Sequence, residues 1–113
     1  MMKIRQAEIW ELYLDPVKGS EQGGRRPALV VSGNLMNTHL PVVMVCPITT
    51  KVKSYKGNLI LEPSEENGLR KRSEVLNFHL RSVAKERLKR RLGQIGRSEF
   101  KQVLEGLDDL LKL

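Results

Sequence analysis

The stretch "GSEQGGRRP", Gly19 to Pro27, brings a carboxylate, an amide, three glycines and two adjacent arginines into one connection between strand-like segments. Glycines permit positive φ and close backbone approach, so the loop is suited to lining an anion site or to moving as a flap. Pro27 biases Arg26 toward an extended conformation where the apolar "ALVV" run begins. A guanidinium held there presents a planar fork of donors to phosphate. The competing interpretation is that both arginines are surface charges and the glycines only form the turn.

A second polar group follows an apolar strand-like run in "CPITTK". Thr49 and Thr50 bring hydroxyl groups, and Lys51 brings a cation, to the point where the strand leaves the core. The alternative is that these threonines simply end a strand.

The third group lies in "SEVLNFHLR". If the stretch is one strand, alternate side chains project from opposite faces. One face then carries Leu76, Phe78 and Leu80, and the other carries Val75, Asn77, His79 and Arg81. Histidine is the side chain type best suited to proton transfer at physiological pH, so His79 is either a functional histidine or a structural strand residue.

The charge of the chain is basic and unevenly placed. The formal net charge is +7, and the segment from Arg81 to Arg97 holds seven Lys or Arg against one Glu. A second basic cluster, "KVKSYK", contains Lys51, Lys53 and Lys56. Basic patches attract polyanions, which makes nucleic acid the first partner to consider, with a merely solvated basic face as the alternative.

Length and composition bound the class of protein. A chain of 113 residues fits a single domain, residues 1–113, with one core. One Cys and two His offer neither a disulfide framework nor a four-ligand zinc site, so we expect no metal, and Cys46 is expected to be a small buried hydrophobe in a reducing compartment. The longest apolar run falls short of the roughly 20 residues of a membrane span. We therefore expect a soluble, cytoplasmic protein that does not act at a membrane.

Short strands dominate the chain until its last fifth. The strand-like stretches are "AEIWELYL", "ALVVS", "PVVMVCPI", "NLILE" and "SEVLNFHL", with a shorter candidate at "RRLGQI" and one helical turn at "VAKERL". "NLMNTHLP" is expected to be a loop. One apolar stripe at helical spacing predicts a C-terminal helix with Ser98 as its N-cap. The stripe consists of Phe100, Val103, Leu104, Leu107, Leu110 and Leu111. This order of elements favours a small curved sheet or barrel closed by helices.

These motifs together closely resemble the MazF/PemK family of toxin endoribonucleases. The resemblance runs from about Glu8 to Gly93 through "EIWELYLDPVKGSEQGGRRPALVVS", "VCPITTK", "SEENGL" and "LRSVAKERLKRRLG". It implies a mainly β fold with helices, a small SH3-like β-barrel of the CcdB/PemK/MazF type with a C-terminal α-helix, that forms a homodimer. It also implies a toxin that cuts single-stranded RNA at short motifs without metal or cofactor. A cognate antitoxin would inhibit it, and operator DNA would be bound only through the antitoxin complex.

The resemblance implies that Arg26 and Thr49 are the catalytic residues. In RNA the ribose 2′-OH already lies beside the phosphate, so its attack gives a 2′,3′-cyclic phosphate and a 5′-OH end. Arg26 then stabilises charge on the phosphoryl oxygens and Thr49 donates a hydrogen bond there. Many family members carry an acid followed by Gln where this chain has Phe78 and His79. Because that acid is missing, we hypothesise that His79 transfers a proton or contacts a base.

The predicted RNA-binding residues belong to the same three groups and to the basic cluster "KVKSYK". They are Ser20, Glu21, Gln22, Gly23, Arg25, Thr50, Lys51, Lys53, Tyr55, Lys56, Asn77 and Arg81. Glu21 either meets a base edge or pairs with an arginine of its own loop. Tyr55 is expected to stack on a base, whereas Trp10 is expected to pack in the core or a dimer interface.

Two other functions are compatible with the same sequence. The CcdB toxins share this fold, so one alternative is a gyrase-poisoning toxin that needs no phosphate site. The other is a catalytically silent module that binds RNA or antitoxin, which the missing acid makes conceivable.

Overall fold

The computed structural model describes residues 3–13 and 25–112, and these form seven strands and two α-helices. The strands are β1 Glu8–Tyr13, β2 Arg25–Val30, β3 Val42–Thr49, β4 Ile60–Leu61, β5 Ser73–Val75, β6 Arg81–Ala84 and β7 Leu88–Gln94. The helices are α1 Asn34–His39 and α2 Arg97–Leu111, and 3₁₀ turns occupy Asn77–His79 and Lys85–Arg87. The helical turn predicted within "VAKERL" is therefore present.

The strands form one antiparallel sheet in the order β4-β5-β3-β2-β1-β7, with β6 also paired to β3. The sheet is a half-barrel whose two faces bury separate apolar clusters. One cluster, which includes Ile9 and Leu29, is covered by Phe100, Val103 and Leu107 of α2. The predicted fold class is confirmed: a mainly β fold of the small β-barrel type with a C-terminal helix.

Trp10 lies in the second apolar cluster, beside Leu12 and Val43. Its side chain is 4% exposed, and its indole N–H donates to the Glu8 carboxylate at 3.0 Å. Glu8 also accepts from the Arg91 guanidinium at 2.8 Å. The indole of Trp10 is buried and its N–H has a hydrogen-bond partner, which fits the packing role expected for this residue. Neither face of the ring is exposed for stacking on a nucleobase.

The prediction of one strand through "SEVLNFHL" is wrong. The outer edge of β3 pairs with β5 at Ile48 and Thr49 and with β6 from Val42 to Val45. Between these two pairings, the carbonyl of Pro47 accepts a hydrogen bond from the Leu76 N–H at 2.8 Å. Because proline has no N–H to return, the ladder stops there and the chain makes the 3₁₀ turn.

Both helices differ from expectation, α1 by its presence and α2 in its N-cap residue. α1 replaces the loop expected at "NLMNTHLP", and the Asn37 side chain donates to the Ser32 carbonyl at 2.9 Å. α2 begins at Arg97 with Gly96 as its N-cap, so Ser98 is not the cap. The Glu99 carboxylate accepts from the Gly96 N–H at 2.9 Å, which satisfies a free donor at the helix start.

The segment between β4 and β5 is held rigidly by one buried side chain, Asn67. Its Oδ1 accepts from the Ser64 and Leu69 N–H groups at 3.1 and 2.9 Å, and its Nδ2 donates to the Glu62 carbonyl at 2.8 Å. Gly68 has φ +70° and lies so close to Leu92 that no Cβ fits. Gly68 is thereby packed against Leu92 of β7.

No helix among the described residues is long and apolar enough to cross a membrane.

Candidate functional site

Arg26 and Thr49 lie in the same surface cleft, at the ends of neighbouring strands. The β2–β3 ladder pairs Ala28 with Pro47, and continuing that register by two residues places Arg26 opposite Thr49. The cleft has a volume of about 350 Å³. It is lined by Arg25, Arg26, Pro27, Ile48, Thr49, Thr50 and Lys51.

The Thr49 hydroxyl is oriented by the turn that follows β3. Its Oγ1 accepts a hydrogen bond from the Lys51 backbone N–H at 3.1 Å. Because the hydroxyl accepts this bond, its own proton remains available to donate to an oxygen in the cleft. Thr49 is half-buried, whereas Thr50 and Lys51 are exposed.

The two adjacent arginines have different surroundings. The Arg25 guanidinium forms an ion pair with Glu11 at 3.2 Å and donates to the Tyr13 hydroxyl at 3.4 Å, and it lies 5.5 Å from the centre of that ring. The hydrogen bond to Tyr13 and then that to Glu11 raise the pKa of Arg25. The Arg26 backbone pairs with Leu12 in the sheet, but its guanidinium has no hydrogen bond or ion pair with any residue of 3–13 or 25–112, so within that part of the chain its donors remain for an anion. Arg25 is the first residue of strand β2 and pairs with Tyr13 of β1. The sequence had instead suggested that it lies in a mobile loop.

Glu74 is an element of the site that the sequence did not reveal. Its carboxylate is fully buried and lies on β5 opposite Thr49. It accepts from three successive backbone N–H groups, those of Lys53, Ser54 and Tyr55, at 2.8 to 2.9 Å, and from the Asn58 side chain at 2.9 Å. Ser54 has φ +57°, which lets the three N–H groups converge on one anion.

The hydrogen bonds to Glu74 determine its ionisation. Burial alone raises the pKa of this carboxyl, but the bonds from Asn58, Lys53, Ser54 and Tyr55 outweigh burial, so the net shift lowers its pKa. Glu74 is therefore a buried anion that fixes the loop after the cleft. That loop, Lys51–Asn58, carries the predicted RNA-binding residues Lys53, Tyr55 and Lys56, all of them exposed.

The structure separates the residues predicted in "SEVLNFHLR". Asn77 is only 2% exposed, and its Nδ2 donates to the Gly57 carbonyl at 3.2 Å, so it does not share a solvent-facing side with His79. His79 is exposed and packs edge-on against Phe78, with ring centres 4.6 Å apart. Arg81 begins β6 opposite Val45. None of these three lines the cleft of Arg26 and Thr49.

A second cleft, which the sequence also did not reveal, adjoins the first. It has a volume of about 410 Å³ and shares Pro27 and Thr50 with the cleft of Arg26. Three cations line it, Arg70, Lys71 and Arg90, against one acid, Glu11. The charge run between Arg81 and Arg97 pointed to a basic surface, but only the fold shows which of its cations face this cleft.

The remaining expectations concern four predicted RNA-binding residues that precede β2, the cysteine and a metal site. Ser20, Glu21, Gln22 and Gly23 lie outside the described residues. Cys46 is buried as expected, and burial raises the pKa of its thiol to about 12. Among residues 3–13 and 25–112, no group of three His, Cys, Asp or Glu side chains is placed to hold a metal ion.

Comparisons with known proteins agree with this fold. The family model described as PemK-like, MazF-like toxin of type II toxin-antitoxin system matches residues 5–111. The chain is 36% identical to Endoribonuclease MazF9 of Mycobacterium tuberculosis, covering 97% of this chain and 94% of that protein. It superposes on MazF of Deinococcus radiodurans with TM-score 0.81 and 29% identity, and all of both chains is covered. It also superposes on a MazE-MazF structure from that organism with TM-score 0.82 and 29% identity, covering 98% and 97% of the chains.

The chain belongs to the PemK-like, MazF-like family of toxins of type II toxin-antitoxin systems. Within that family it is of the endoribonuclease class, as its curated relatives are named. The predicted family and enzyme class are both confirmed.

Proposed function

We propose that this toxin cleaves single-stranded RNA in the cleft between β2 and β3, with Arg26 and Thr49 acting on the scissile phosphate. The observation that carries the proposal is that one cleft is lined both by Arg26, whose guanidinium has no partner among the described residues, and by Thr49, whose hydroxyl proton is available to donate. Both side chains sit where strands end, so the barrel holds them while the cleft stays open to solvent.

The reaction needs no enzyme nucleophile. The substrate 2′-oxygen attacks the adjacent phosphorus, the O2′–P bond forms, and the P–O5′ bond breaks. The 2′-OH loses its proton and the departing 5′-oxygen gains one, which leaves a 2′,3′-cyclic phosphate and a 5′-OH end. Arg26 stabilises the charge that accumulates on the non-bridging oxygens, and Thr49 donates to one of them. Removing one such donor typically lowers the rate about 10²–10³-fold.

Arg26 is unsuited to moving the proton itself. A guanidinium is so weak an acid that almost none of it is neutral at pH 7. His79, which does not line the cleft, is better placed to contact a base than to take the 2′-OH proton. His79→Gln should therefore leave the pH dependence of the cleavage rate unchanged. If the variant lost the rise or the fall of that rate with pH, His79 would have the proton-transfer role after all.

The second cleft suggests where the rest of the RNA strand runs. It continues from the first across Pro27 and Thr50, and its cations Arg70, Lys71 and Arg90 suit successive phosphates. The Asn67 network fixes the backbone up to Leu69, directly before Arg70 and Lys71, which lowers the backbone entropy lost when RNA binds there. On the other side of the cleft, Lys51, Lys53 and Lys56 serve the same purpose.

The partners follow from the same proposal. A cognate antitoxin inhibits the toxin by covering these clefts, as the likeness to a MazE-MazF structure suggests. The toxin acts as a homodimer, meets cellular RNA in the cytoplasm, and reaches operator DNA only through the antitoxin complex.

One experiment tests the proposal against its alternatives. Purified protein is incubated with a mixed-sequence RNA in EDTA, and both fragment ends are sequenced and analysed chemically. We expect cuts at a short motif that leave 2′,3′-cyclic phosphate and 5′-OH ends. No cleavage under any ionic condition would refute the nuclease. Growth arrest by Arg26→Ala with intact cellular RNA would instead favour the gyrase-poisoning alternative.

A further inference from the structure

We propose that Phe78, flanked by Tyr55 and His79, is the stacking surface for one nucleobase of the RNA beside the cleavage cleft. The inference rests on the proposed function and names a base-binding residue for it. Its ligand is a base of single-stranded RNA.

Three rings form a continuous row on the surface. The centres of Tyr55 and Phe78 are 5.3 Å apart at an interplanar angle of 85°, and those of Phe78 and His79 are 4.6 Å apart at 71°. Phe78 is 50% exposed and Tyr55 is 48% exposed. The edge-to-face packing steadies each ring while part of each remains exposed. Base–aromatic stacking needs an exposed ring held in a fixed orientation.

The break in the strand turns Phe78 outward. In an uninterrupted strand Phe78 would share the buried side with Leu76. The 3₁₀ turn instead buries Asn77, whose amide donates to the Gly57 carbonyl, and leaves Phe78 at the surface. Close packing of α2 reinforces this placement, because a Cβ on Gly106 would lie 2.5 Å from the Gly57 oxygen.

The loop that carries Tyr55 is fixed before RNA binds. The Tyr55 N–H is one of the donors to the buried Glu74 carboxylate, at 2.9 Å. Lys51 lines the cleavage cleft, and Tyr55 is four residues further on, so their Cα atoms are at most about 14 Å apart. A strand bound at Arg26 therefore has a flanking nucleotide within reach of this row. Lys53 and Lys56 supply cations for its phosphates.

A hollow of about 220 Å³ lies beside Phe78, against α2. Lys56, Asn58 and Asp109 are among the residues that line it. It is smaller than pockets for drug-sized ligands, which suits a single base. The Asp109 carboxylate is able to accept from an exocyclic amine of a base that lies on Phe78.

Cleavage of RNA with abasic positions tests the proposal. A single-stranded substrate is made with one abasic nucleotide, placed in turn on either side of the cut, and kcat/KM is measured for the wild type, Phe78→Ala and Phe78→Trp. We expect Phe78→Ala to lose roughly 5- to 150-fold, mainly in KM, and Phe78→Trp to retain activity. At one of the positions, the abasic substitution should lower kcat/KM of the wild type by the same factor as Phe78→Ala does. The same abasic substrate should leave kcat/KM of Phe78→Ala almost unchanged. Leu35→Ala, an exposed apolar residue of α1, is the matched control and should cut normally.

A binding measurement separates this inference from the cleavage reaction. Phe78→Trp adds an exposed indole to a chain whose one other tryptophan is buried, and a non-cleavable 2′-O-methyl RNA should quench its emission. Quenching without cleavage by the wild type would overturn the proposed nuclease and leave the base site standing. Equal abasic penalties for wild type and Phe78→Ala at every position, or a loss of antitoxin binding alone, would overturn the base site.

Discussion

Replacing Glu74 by Gln should destabilise the loop that borders the cleavage cleft. The carboxylate accepts four hydrogen bonds, two at each oxygen. A glutamine in either orientation keeps one acceptor oxygen and turns an NH₂ group toward two donors. Each donor left unsatisfied in a buried site costs about 1–3 kcal/mol. The expected loss in the free energy of unfolding is therefore about 2–6 kcal/mol, against a typical total of about 5–15 kcal/mol.

Chemical denaturation measures this loss, and amide hydrogen exchange locates it. Exchange should accelerate at Lys53, Ser54 and Tyr55 in Glu74→Gln. Glu62→Gln is the matched control, because Glu62 is exposed and its ion pair with Arg72 at 2.9 Å is worth less than about 1 kcal/mol. If Glu74→Gln lost no more stability than Glu62→Gln and its loop amides stayed protected, the role given to Glu74 would be wrong.

The stabilising effect of Glu74 should depend on pH in a direction that follows from its pKa shift. Since folding lowers the pKa of Glu74, its stabilising effect is fully present above the ordinary value of 4.5 and is lost as pH falls through the lower folded value. The difference in unfolding free energy between wild type and Glu74→Gln should therefore be constant from about pH 6 to 8 and shrink below about pH 4.5. A difference that grows on acidification would contradict the assignment.

Three further changes test other parts of the molecule. Gly106→Ala should lower the unfolding free energy by about 1–2 kcal/mol in a denaturation series, because the new methyl overlaps Asn77, whereas Gly33→Ala, with open space, should not. A thiol reagent should label Cys46 only after unfolding, since its thiol is buried and its pKa is about 12; rapid labelling of the native protein would contradict this. Lys71→Glu should raise KM several-fold for long RNA but not for a trinucleotide spanning the cut, and Lys101→Glu on α2 should affect neither.

The sequence predicted the parts of the site that depend on neighbouring residues along the chain. Alternation and the flanking glycine and proline residues located the strands around Arg26 and Thr49. The resemblance to the family implied that these two residues act together. The sequence could not reveal that Pro47 interrupts the edge of β3, because the consequence appears about 30 residues away in "SEVLNFHL". His79 and Asn77 were grouped incorrectly for that reason.

The buried carboxylate and the second cleft were missed for a different reason. Glu74 reads as an ordinary polar strand residue until the Lys53–Tyr55 N–H groups fold over it from 19 to 21 positions away. Arg90 and Lys71 are unremarkable surface cations in sequence, and only the packing of Gly68 against β7 brings them to one cleft. Tertiary contacts of this kind leave no local pattern.

The most direct test of the proposed site compares Arg26→Ala with Arg25→Ala in single-turnover cleavage of one RNA at saturating enzyme. The two residues are adjacent, carry the same charge and both line the cleft, but the Arg25 guanidinium is held by Glu11 and Tyr13, whereas that of Arg26 has no partner among the residues that the structure describes. We predict that Arg26→Ala lowers the rate by at least about 10²–10³-fold and that Arg25→Ala lowers it by less than about tenfold. Equal losses, or the larger loss at Arg25, would contradict the assignment of Arg26 to the scissile phosphate.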